Sequence, residues 1–136
     1  MRIEKLVVPP LDNNVYLVAD EASQQAAVID TGLGASEIQA KAQELGVKLL
    51  YILNTHGHPD HSADDEPLQK ATGAKLAIFE VDAYRLERNA RESRWFLPAP
   101  PPVAKADLLL KEGTSIPIGG ITLKTLHTPG HTEGSC

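Results

Sequence analysis

The sequence predicts an α/β layered domain, and three observations carry that reading. Short apolar runs alternate with segments of helical periodicity along the chain. One run, residues 47–53, is apolar almost without interruption, the pattern of a strand covered on both faces. Gly46 and Gly73 stand where two helical segments must stop.

In chain order, residues 3–8 read as a strand stopped by Pro9-Pro10. Residues 15–19 and 26–29 are two short apolar runs separated by a polar stretch, as in a hairpin with a longer loop. Asp30-Thr31-Gly32-Leu33-Gly34 breaks the second strand. Ser36, with Gln39 three residues on, predicts a capped helix start, and Ile38, Ala42 and Leu45 give it one apolar face. After the strand at 47–53, a helix is expected over about 64–71, with Pro67 tolerated in its first turn. A strand at 75–79, a helix at about 82–89 and a proline-rich loop over 95–103 follow. Residues 107–126 read as short strands with a tight turn at Gly119-Gly120.

The chain has 136 residues, one domain on length, and a net charge of −5. That balance lacks the basic footprint of a nucleic-acid binder. No apolar run approaches the ~20 residues of a membrane-spanning helix. The N-terminus lacks the layout of a signal peptide. Cys136 is the one cysteine, so no internal disulfide forms, which fits a reducing, cytoplasmic compartment.

All five histidines fall in two clusters beside turn-forming residues: His56, His58 and His61, then His127 and His131. Gly57 and Pro59 argue against a helix in the first cluster, so a helical i, i+4 zinc motif does not fit. In an extended loop, His56 and His58 point the same way and can share an ion, while Pro59 redirects Asp60 and His61 toward a neighbouring position. Imidazole and carboxylate donors suit zinc, and also iron or manganese. Four donors on one loop admit a dinuclear site. His131 would complete a three-histidine site with one position open, the mark of a catalytic centre. His127, ending a strand two residues before Pro129, is expected to pack or to support a ligand rather than bind metal. Asp30 reads either as a support for a ligand imidazole or as a turn residue. Arg85, Arg88, Arg91 and Arg94 recur every third residue, which reads as a solvated, ion-paired face ahead of an anion clamp. Trp95-Phe96 reads as a lid or as packing.

Thr55-His56-Gly57-His58-Pro59-Asp60-His61, Ala27-Val28-Ile29-Asp30-Thr31-Gly32 and His127-Thr128-Pro129-Gly130-His131 together resemble the metallo-β-lactamase fold superfamily. Leu11-Asp12-Asn13-Asn14-Val15-Tyr16 and the second histidine loop look most like its glyoxalase II-like (hydroxyacylglutathione hydrolase-like) branch. The resemblance implies that His56, His58 and His131 bind a first metal and that Asp60 and His61 bind a second. Asp60 would also help orient the attacking hydroxide, as a catalytic residue. It implies an αβ/βα sandwich, of which residues 1–136 would be the N-terminal half to two-thirds, one domain cut before its second sheet is complete. A bridging Asp and a final His expected of relatives are not found. Ser62-Ala63-Asp64-Asp65 stands where relatives usually carry x-Gly-Gly.

The function so implied is hydrolysis of a small thioester or related acyl substrate by a metal-activated hydroxide, with two zinc ions in the intact protein. A mononuclear iron persulfide dioxygenase and an inactive metal-binding fragment are the alternatives. A truncated chain is expected to expose an apolar sheet face and to turn over little or nothing by itself. A second copy of the chain is a candidate partner; nucleic acid and membrane are not.

Overall fold

A computed structural model of the protein describes residues 1–136, apart from the side chain of Ala90. Strands β1 (Arg2–Val8), β2 (Asn13–Asp20) and β3 (Gln25–Ile29) form an antiparallel meander. Strands β4 (Lys48–Leu53), β5 (Lys75–Phe79) and β6 (Leu108–Leu110) then add in parallel, giving one six-stranded sheet in the order β1-β2-β3-β4-β5-β6. Parallel neighbours need crossovers, and helices supply them. Helix α1 (Ala35–Leu45) joins β3 to β4, and α2 (Pro59–Ser62) with α3 (Asp65–Thr72) joins β4 to β5. Helix α4 (Ala83–Glu92), between 3-10 turns at Glu80–Asp82 and Ser93–Trp95, opens the path to β6. Strands β7 (Ser115–Ile118) and β8 (Ile121–Lys124) pair as a separate antiparallel hairpin around Gly119-Gly120.

Alternate residues of the central strands feed two cores. Val28, Ile52, Leu76 and Ile78 meet Ile38 of α1 and Leu68 of α3 on one face. Ala27, Leu53, Ala77 and Phe79 meet Leu110, Ile116 and Ile118 on the other. Burial on both sides explains the near-continuous apolar run of β4. The helix-side core buries Ile38 and Leu68 completely. The other side leaves a cavity of about 490 Å³ lined by Ile29, Leu53, Leu110, Ile116 and Leu123. Among the described residues, no helix is long and apolar enough to cross a membrane.

Two local expectations are corrected. Ser36 does not cap α1: the capping position is Gly34, and the Ala35 N–H donates instead to the Asp64 carboxylate, 2.9 Å away. Gln39 donates to the Ala35 carbonyl within the helix. A carboxylate from a distant loop thus does the work of a local cap. Pro59, read as arguing against a helix, instead begins a one-turn helix, α2, because proline is compatible with the first helical position, where its missing N–H has no intrahelical partner to lose. The stops at Gly46 and Gly73 are as expected; both adopt the left-handed conformation that glycine accepts without strain.

Candidate metal centre

Strands β3, β4 and β5 run parallel, so their C-terminal ends share one edge of the sheet, the usual place for a site in such sheets. The chain leaves β3 through Asp30 and β4 through Asn54 and Thr55, directly into the first histidine cluster.

His56, His58 and His131 converge there. One ligand nitrogen from each lies within 4.8 Å of the others, although 73 residues separate His58 from His131. The ring centroids stand 4.7–4.8 Å apart, and His58 Nδ1 is 3.0 Å from His131 Nε2. His56 is 7% exposed, and its Nε2 is buried with no hydrogen-bond partner among the described residues. Its other nitrogen is satisfied. Nδ1 lies 3.0 Å from Thr55 Oγ1, whose hydroxyl donates to Asp30 Oδ2 at 2.9 Å. With the proton on Nδ1, Nε2 carries the free lone pair of a ring that stands 4.8 Å from each of the other two. A buried lone pair without a donor is costly unless something fills that place, and a divalent cation fits the donor set. Burial above all, then the neighbouring His61, lowers the His56 pKa to about 4. Burial, then His131, lowers that of His58. Both rings are therefore neutral at pH 7, the form that ligates.

Asp60 and His61 project from α2 beside this trio; the His56 and His61 rings are 4.4 Å apart. Asp60 Oδ2 and His61 Nε2 lie 3.4 Å from each other. Asn13 sits between them: its Nδ2 donates to Asp60 Oδ2 at 3.1 Å and lies 3.2 Å from His61 Nε2. Asp30 Oδ2 is 2.9 Å from His61 Nδ1. Burial works to lower the His61 pKa, but the hydrogen bond and charge of Asp30, with the charge of Asp60, raise it on balance. Of the two readings of Asp30, the geometry favours support of a ligand imidazole. Its carboxylate also accepts from the Thr55 N–H at 2.8 Å, and it holds a left-handed φ of 59° that asparagine and aspartate tolerate better than most residues.

His127 stands apart from the trio. It is exposed, stacks on Phe79 with centroids 4.2 Å apart, and its Nε2 is 2.8 Å from the Glu133 carbonyl oxygen, so it packs as expected. Asp64, where relatives were expected to carry glycine, and Asp65 beside it also have structural partners. Asp64 caps α1. Asp65 is fully buried, accepts from Thr31 Oγ1 at 2.8 Å and Asn54 Nδ2 at 3.3 Å, and has its pKa pushed well up by burial. Of the four arginines, Arg85 is tied down, with Nε 3.2 Å from Asp82 Oδ1. The guanidinium groups of Arg85 and Arg88 lie over the Tyr84 ring. Trp95 is 70% exposed and, with His58, Pro59, Asp60 and Glu92, lines a cavity of about 240 Å³ next to the trio.

Two residues of the site escaped the motif reading. Asn13 lay in a segment read for its likeness to the glyoxalase II-like branch and not as part of the site. Asp82 looked like an ordinary helix start. Asp82 is fully buried and takes hydrogen bonds from Gly57 N, Thr132 Oγ1 and Gly134 N. Burial works to raise its pKa, but those donors and Arg85 outweigh it and lower the value, which keeps the group ionised.

Residues 8–136 match the metallo-beta-lactamase superfamily. A hydroxyacylglutathione hydrolase of Cereibacter sphaeroides is 38% identical over 135 residues, 98% of this chain and 46% of that protein. A persulfide dioxygenase of Mus musculus is 31% identical over 134 residues, 97% of this chain and 45% of that protein. In structure, the BLEG-1 B3 metallo-beta-lactamase superposes with a TM-score of 0.86 at 27% identity, covering 98% of this chain and 65% of that one. The chain spans about half the length of the curated relatives it matches. A match over nearly all of its residues, with the histidine loops brought together at one sheet edge, settles the question of kinship: the chain belongs to the metallo-β-lactamase superfamily.

Proposed function

We propose that this chain, read as one domain over residues 1–136, carries the histidine-rich part of a metal-dependent hydrolase site for thioester or related acyl substrates, in the manner of its hydroxyacylglutathione hydrolase relatives. The observation that carries the reading is the trio His56, His58 and His131, its ligand nitrogens within 4.8 Å of one another, with the Nε2 of His56 buried and unpartnered among the described residues. These three would hold a first ion, zinc being the first choice with iron or manganese as alternatives. Asp60 and His61 would hold a second. A bound divalent ion supplies Lewis-acid activation of water and of the substrate carbonyl. Asp30 holds the His61 ring by its Nδ1 and, through Thr55, that of His56. Asp60, partly open to solvent and held by Asn13 Nδ2 at 3.1 Å, would help orient a nucleophilic water. The Trp95 cavity gives the substrate an apolar wall beside His58. The lone free thiol, Cys136, is consistent with a reducing, cytoplasmic setting. A second copy of the chain is a candidate partner for its apolar sheet face.

The second reading, an iron persulfide dioxygenase, is favoured by the murine relative. Metal analysis joined to two assays decides. Zinc retention that depends on His131, with slow hydrolysis of an S-acylglutathione abolished by chelation, is the expected result. One iron per chain with persulfide-dependent oxygen uptake would assign the second reading. Metal binding without either turnover would leave a binding fragment, and no metal binding would sink all three.

A further inference from the structure

The two histidine loops must be held in register before three imidazoles can share an ion, and one side chain touches both. The Asp82 carboxylate lies at the end of the 3-10 turn after β5, with no exposed surface. Its Oδ2 accepts from the N–H of Gly57, the residue between His56 and His58, at 2.9 Å. The same oxygen accepts from Oγ1 of Thr132, the residue after His131, at 2.8 Å. Its Oδ1 accepts from Gly134 N at 2.9 Å and Arg85 Nε at 3.2 Å.

The fit excludes side chains at two points. A Cβ on Gly134 would come within 2.7 Å of Asp82 Cβ, and one on Gly57 within 2.6 Å of Arg85 Cβ. Asn89 closes the other side. With its amide oxygen accepting from Ser62 Oγ at 2.7 Å, its nitrogen donates to the Gly57 and Arg85 carbonyls, both at 3.0 Å. The His131 loop has few other anchors to the first loop; one is Cys136 N to the Thr55 carbonyl at 3.0 Å. The loop lies outside helix and strand, and His131 itself is exposed.

We propose that Asp82 is a positioning residue that clamps the His131 loop to the His56–His58 loop, so that the three-imidazole site is preformed rather than assembled by the ion. This rests on the metal-centre reading above. Four donors converge on two oxygens, so an asparagine cannot replace the carboxylate: in either orientation its NH₂ group confronts two donors. Residues that orient metal ligands cost ~10–100-fold in affinity when lost, and Asp82→Asn is expected to fall in that range. Thr132→Val, which removes one of the four hydrogen bonds, is expected to lose less.

The experiment measures zinc affinity by competition with a chromophoric chelator for the wild-type chain, D82N and T132V. Amide hydrogen exchange of each metal-free protein runs alongside. The expected result is a 10–100-fold affinity loss in D82N, with faster exchange over residues 131–134 and unchanged exchange in β4 and β5. Zinc affinity in D82N within about twofold of wild type would overturn the proposal. So would a loss matched by faster exchange throughout β4 and β5, since that reports a general structural role. If D82N does not fold, T132V reads the same question: wild-type affinity in it overturns the clamp. A wild-type chain that binds no zinc would refute the metal-centre reading, and the clamp with it, whereas normal wild-type binding with an indifferent D82N sinks the clamp alone.

Discussion

The two halves of the site are built differently. The trio of His56, His58 and His131 draws on two remote loops, yet its nitrogens already lie within 4.8 Å of one another, and His56 and His58 have lowered pKa values. Asp60 and His61 come from a single turn of helix, are occupied by Asn13, and the His61 pKa is raised by Asp30. In the first half, among the described residues, His56 Nε2 has no partner and His58 and His131 pair only with each other; the second is satisfied by its own neighbours. The difference teaches that an ion at the first position displaces only the His58–His131 contact, whereas at the second it must displace the Asn13 contacts and a favoured proton on His61.

His131→Ala should break the comparison most severely. It removes a donor, so first-site zinc affinity should fall by more than the ~100-fold that loss of a supporting residue costs, as read by chelator competition. Asp30→Asn should sharpen the contrast. It disturbs the His61 Nδ1 contact and the Thr55 link, and the second binding step in a zinc titration should weaken ~10–100-fold, more than the first.

Acid provides a third probe. The unfolded chain takes a proton on His56 as pH falls below about 6.5, whereas the folded, metal-free chain resists until about 4. Between those values the unfolded state binds more protons, so stability falls with falling pH. The loss at pH 5 relative to neutral pH is about 2 kcal/mol from this residue. The lowered His58 adds to it, and the raised His61, which favours the folded state at low pH, opposes it. Urea midpoints of the metal-free chain at pH 7 and pH 5 check the sign. The smallest effect belongs to His127→Ala: it stacks on Phe79 away from the trio, so zinc affinity should change less than about threefold, below even the ~10-fold typical of a supporting residue.

Much of the molecule was readable from local pattern. The strand at β5, the stops at Gly46 and Gly73, and the grouping of His56 and His58 follow from periodicity, glycine geometry and the two-residue repeat of an extended chain. What escaped depends on partners far along the sequence. Asp64 caps a helix that begins 29 residues before it, so Ser36 and Gln39 gave a plausible but unused local signal. Asn13 reaches Asp60 across 47 residues, and Asp82 reaches Gly134 across 52. Helix α2 is one turn long, too short for any period to register.

The shared direction of β3, β4 and β5 carries one further consequence. Asp30, Asn54 with Thr55, and the turn leading to Asp82 all leave the sheet at one rim, while the turns entering β4 and β5 through Gly46 and Gly73 lie at the opposite rim. Chemistry and tolerance to insertion are thereby segregated: the far rim can be lengthened, tagged or reopened as new chain ends without moving a histidine.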